Sequence, residues 1–98
     1  MIRSFRDAGT EDIFNGANTR RAGKACPSTI WRVARRKLEL LDSARTLEDL
    51  SVPRANHLEA LRKDRAGQHS IRINAQYRVC FVWTEEGPTD VEIADYHD

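Results

Sequence analysis

No apolar run in these 98 residues approaches the length that crosses a bilayer, so a membrane-spanning protein is not expected. The opening "MIRSFRDAGTED" has no hydrophobic signal region, which argues against export and for a cytoplasmic protein. Cysteine is scarce: Cys26 and Cys80 stand alone, without zinc-type spacing or a CxxC pair, and free thiols are the simplest reading. No cluster of His, Asp and Glu offers a metal site, and neither a repeat nor a low-complexity tract is present. Acids are missing from Arg20 to Leu38, where seven basic residues fall, and bases are missing from Trp83 to Asp98, where six acids fall. The net charge of +1 therefore conceals a segregation that can present a basic surface to an anion.

What is present fits one compact domain over residues 1–98, with 40% apolar and 32% charged residues. "MIRSF" suits a short first strand. "TEDIFNG" suits a short helix, with Thr10 as cap, acids at its positive end and Asn15-Gly16 as a stop. Residues 16–27 are polar, basic and glycine-containing, and predict a mobile loop. In "STIWRVARRKLELLDSA", Ile30, Val33, Ala34, Leu38, Leu41 and Ala44 recur at helical spacing, with Ser28 as a possible cap. "LEDL" suits one further turn. The rest alternates as strands: "HLEAL", "QHSIRIN", "QYRVCFVW" and "TDVEIADYH", separated by "KDRAG", Asn74-Ala75 and "EEGP". The predicted order is β-α-α-β-β-β-β, an α+β fold with two N-terminal helices on one face of a mostly antiparallel sheet.

One strand poses a problem. Tyr77, Val79, Phe81 and Trp83 can face the helices, which turns Arg78, Cys80 and Val82 to the opposite, partly open face. Two readings of Arg78 stand level: a pair with an acid of the last strand, such as Glu92 or Asp95, or a functional guanidinium.

"RRKLELLDSA", "LEALRKDRAGQHSIRINAQYRVCFVW" and the terminal "VEIADYH" resemble the HigB branch of the RelE/ParE toxin superfamily, over nearly the whole chain. The resemblance implies a RelE-like fold and a ribosome-dependent mRNA endonuclease that cuts the codon in the decoding site and stops growth. It implies two partners, the ribosome with its mRNA and a HigA-type helix-turn-helix antitoxin. No cofactor and no metal are implied.

Residue by residue, Arg78 matches the family's catalytic arginine, and His97 its terminal histidine, with Tyr96 beside it. Arg62 falls where a lysine is usual and Lys63 where a glycine is usual, so either cation can take the phosphate-binding role. Arg65, in the same loop, is a further RNA-binding candidate. Arg20, Arg21, Arg32, Arg35 and Arg36 form the stretch expected to meet an acidic antitoxin segment. His97 is the one group in these positions that titrates near neutrality, at about 6.5 when unperturbed. Tyr96 and Tyr77 can stack a base, although alternation favours Tyr77 in the core. Two rival functions share the fold: a ParE-like inhibitor of DNA gyrase, and a relative that binds antitoxin without toxicity.

Overall fold

The computed structural model describes residues 1–96. Three helices, α1 (Ala8–Phe14), α2 (Arg20–Ala25) and α3 (Trp31–Ser43), precede four strands, β1 (Glu59–Ala60), β2 (His69–Arg72), β3 (Tyr77–Thr84) and β4 (Gly87–Asp95). The strands form one antiparallel sheet in the order β1-β2-β3-β4, so the α+β class stands. Among the described residues no helix is long and apolar enough to cross a membrane.

The element order departs from β-α-α-β-β-β-β at two places. Residues 1–5 form no full strand; Phe5 alone makes a parallel bridge to Val91. The cause lies in β4. Cys80 pairs with Glu92 but Val82 pairs with Thr89, so Asp90 and Val91 together oppose Phe81. Asp90 takes the left-handed conformation, φ 51°, that this bulge requires. The bulge turns the Val91 backbone outward, where its N–H donates to the Ser4 carbonyl and its carbonyl accepts from the Arg6 N–H.

The second departure is residues 16–27, which hold helix α2 rather than a loop. Thr19 caps it by accepting from the Ala22 N–H at 3.1 Å, and its hydroxyl donates to Asp12 at 2.6 Å. Arg21 grips the same carboxylate with two bonds, 2.9 and 3.0 Å. The Thr19 hydroxyl, and after it Arg21, hold the Asp12 carboxyl below its usual range. Ala22 and Cys26 then enter the core. A Cβ on Gly9 would collide with the Arg21 carbonyl oxygen, so this glycine sets how closely α1 and α2 approach.

Helix α1 is capped by Asp7 rather than Thr10; the Thr10 hydroxyl is buried and accepts from the Ile93 N–H instead. Helix α3 buries Ala34, Leu38 and Leu41, whereas Val33, expected in the stripe, is exposed. Ser28 caps nothing, because Pro27 leads into a 3-10 turn over Ser28–Ile30. The buried stripe packs on Ile71, Val79, Phe81, Val91 and Ile93, with Tyr77 and Trp83 at the margin. Each such side chain contributes about 1.5–3 kcal/mol when fully buried. The other sheet face is not open throughout: Leu61, Cys80 and Ala94 form a second small cluster, with Tyr96 against it.

Candidate functional site

Cross-strand partners share a face of the sheet. The face away from the helices therefore carries one row of Glu59, Ser70, Cys80 and Glu92, and a second of Arg72, Arg78 and Ala94. Arg78 stands in the middle with its side chain only 13% exposed. Its Nη1 donates to Ser70 Oγ at 3.1 Å and to the His57 carbonyl at 3.3 Å, and pairs with Glu59 Oε1 at 3.3 Å. The Tyr96 ring lies 5.7 Å from the guanidinium carbon. Among the described residues, all these bonds run through Nη1. A guanidinium has five donors, so the rest of the fork has no hydrogen-bond partner among the described residues.

Arg78 is thus neither unpaired nor bound to the last strand. The expected acids serve other groups: Glu92 accepts from Arg65 at 2.7 Å and faces Arg6 at 3.8 Å, and Asp95 accepts from Gln76 at 3.1 Å. Glu92 sits in the neighbouring row, opposite Cys80, which puts it out of register with Arg78. Sequence reasoning missed Glu59, Ser70 and the His57 carbonyl. Glu59 had a signal, being one of two acids in the basic stretch from Arg54 to Arg78 and lying opposite Leu58 in the alternation.

The segment after β1 is tied down over this face at both ends. Leu61 packs on Cys80 and Ala94, and its N–H donates to the Gln68 carbonyl at 2.8 Å. A 3-10 turn follows over Lys63–Arg65. Arg65 bonds Glu92 and Gln68, and the Glu92 bond raises its already high pKa further. Arg65, an RNA-binding candidate by sequence, thus also anchors the turn through its ion pair with Glu92. Arg62 and Lys63 are exposed. Lys63 has φ 55°, a left-handed conformation that glycine adopts more readily than lysine.

Tyr96 follows β4, held by its N–H to the Gln76 carbonyl at 2.7 Å. His97 lies outside the described residues. His57 is exposed with φ 46°, and His69 stacks on Phe81 at 6.3 Å. Burial pushes both free thiols, Cys26 and Cys80, up to about 11, so neither is a nucleophile at neutral pH. Among the described residues no three His, Cys, Asp or Glu side chains gather where a metal ion would sit.

The basic stretch lies on the other side of the sheet and divides. Arg21 is committed to Asp12, and Arg20 is exposed at the start of α2. Arg32, Arg35 and Arg36, together with Glu39, line a cleft of about 450 Å³ between α3 and the turn after α1.

A helix-backed antiparallel sheet with a fixed arginine beside a tyrosine on its far face is the frame on which the comparisons bear. The family described as RelE-like toxin of type II toxin-antitoxin system HigB matches residues 3–97, and the chain belongs to this family. It is therefore the toxin of a type II pair and has an antitoxin as partner. Toxin HigB-1 of Vibrio cholerae serotype O1 is 36% identical over 85 residues, which span 87% of this chain and 86% of that protein. An uncharacterized protein of Haemophilus influenzae is 40% identical over 55 residues, 56% of this chain and 54% of that protein.

Proposed function

We propose that the chain is a ribosome-dependent mRNA endonuclease that acts in the cytoplasm and arrests translation by cutting the codon in the decoding site. The observation that carries this reading is the guanidinium of Arg78, fixed through Nη1 beside Tyr96 with the rest of its fork uncommitted among the described residues. Arginine matches a phosphate bidentately, and a pre-positioned cation stabilises the charge that gathers on phosphorus without reorganising.

Cleavage through the 2′-oxygen requires a base for the 2′ proton, an acid for the departing 5′-oxygen and cations for the phosphate. Arg78 serves as the clamp, with Arg62 or Lys63 as a second cation. Tyr96 stacks a base or orients the phosphate, and His97 transfers the proton. The chemistry uses these groups without a metal. The set is sparse for a free-standing ribonuclease, and the ribosome supplies the missing orientation of the substrate. The partner that neutralises the toxin is a HigA-type helix-turn-helix protein.

The test is cleavage of one mRNA, on translating ribosomes and naked, at the same salt. The reading requires cutting on ribosomes and little on naked RNA; equal rates would refute it. Inhibition of gyrase supercoiling by the same preparation would favour the ParE-like alternative. Normal growth after induction without antitoxin would favour the non-toxic one.

A further inference from the structure

We propose that the cleft on the helical side seats an acidic segment of the antitoxin, with carboxylates on Arg32, Arg35 and Arg36 and one apolar side chain against Ile13 and Trp31. This deepens the type II assignment by giving the partner a place and a chemistry, and it does not depend on the ribonuclease reading.

Three features converge there. Arg32, Arg35 and Arg36 follow one another at helical spacing, so their guanidinium groups share one side of α3. No ion pair among the described residues engages them, whereas Arg21 and Arg65 both have carboxylate partners. Glycine admits one of them to the wall: a Cβ at Gly16, φ 74°, would stand 3.1 Å from Arg35 Nη1. Finally, the cleft has an apolar side. Ile13 is 3% exposed at its floor, and the Trp31 ring is fixed by its Nε1–H to the Cys26 carbonyl at 2.9 Å.

Lys37, the remaining cation of α3, is turned away to Asn56 at 2.6 Å and supports the fold instead. Burial, and after it the charge of Arg36, lowers its pKa.

These features favour a protein segment over RNA. An indole whose N–H is already committed, beside a buried isoleucine, suits an aliphatic or aromatic side chain flanked by acids. Messenger RNA held at Arg78 lies on the far side of the sheet, because α3 buries its stripe against the opposite face from Arg78. Docking at the cleft and cleavage of RNA are therefore separable.

The experiment titrates the purified cognate antitoxin, and separately a single-stranded RNA oligonucleotide, into four toxins: wild type, the double variant Arg32→Glu/Arg36→Glu, Ala17→Trp and Arg45→Glu. Thermal melting confirms that each is folded. Reversing two charges places like charges opposite the antitoxin acids, and the loss of antitoxin affinity is about 100-fold. Ala17→Trp fills the cleft without changing charge and weakens binding comparably. Arg45→Glu, a reversal at an exposed position that does not line the cleft, changes affinity by less than about 3-fold, as isolated surface charges do. The proposal is overturned if Arg45→Glu costs as much as the double variant, which would indicate diffuse steering. It is equally overturned if antitoxin binding survives both cleft variants while RNA binding falls. Binding is read directly, so a toxin without nuclease activity tests the proposal equally well.

Discussion

The two faces of the sheet are built from the same strands and solve opposite problems. Toward the helices, Val79, Phe81, Val91 and Ile93 exclude water by area, with Tyr77 and Trp83 at the margin. On the far face, the residues between them are Arg78, Cys80 and Glu92, beside a small cluster of Leu61, Cys80 and Ala94 with Tyr96 against it. The first face stabilises without specifying anything beyond shape. The second contributes little apolar area but fixes a guanidinium with three oxygen partners and a tyrosine, which is the kind of preorganisation that phosphate chemistry needs. One period-2 strand thus alternates apolar core residues with polar ones between successive positions.

The sharpest division is expected at the chain end. His97→Gln keeps size and hydrogen bonding but loses titration, and is expected to lower ribosome-dependent cleavage by roughly 10²–10⁴-fold with an unchanged melting temperature. Full activity in that variant would move proton transfer to Tyr96, Asp95 or the ribosome.

Next comes a neighbouring pair on β3. Phe81→Ala, from the helix face, is expected to cost about 3–5 kcal/mol in denaturant unfolding, because it leaves a cavity among fully buried neighbours. Cys80→Ala, one residue away on the other face, should cost about 1 kcal/mol. Equal costs would mean that the small cluster carries as much stability as the main core, and the comparison would fail.

The smallest effect concerns Lys63. Lys63→Gly relieves a left-handed backbone and should stabilise by up to about 1 kcal/mol. Retained cleavage would give the second phosphate contact to Arg62. A tenfold loss, read in the same ribosomal assay, would give it to Lys63.

Much of this division was legible in the sequence, because alternation and helical spacing are local properties. The two faces of β3, the stripe Ala34, Leu38 and Leu41, and the turns at Asn74 and Glu85–Glu86 all follow from them. What escaped depends on contacts between distant residues. Residues 16–27 read as a loop because nothing local announces that Thr19 and Arg21 will share the Asp12 carboxylate. The N-terminal segment read as a strand because the bulge at Asp90 and Val91, which limits its pairing to one bridge, lies some 85 residues away in β4. The same holds for the site. The position of Arg78 on the far face was readable, whereas its carboxylate partner is set by the register of β1 on β2, which a two-residue strand does not declare.

The most direct measurement is cleavage of ribosome-bound mRNA by Arg78→Lys, at a concentration where the variant is fully folded by melting. Lysine keeps the charge, can still reach toward Glu59, and loses the fork. If the far face works by holding a phosphate on the guanidinium fork, cleavage falls by roughly 10²-fold while the melting temperature stays near that of the wild type. Wild-type cleavage by the folded lysine variant would contradict the account and return Arg78 to a purely structural role.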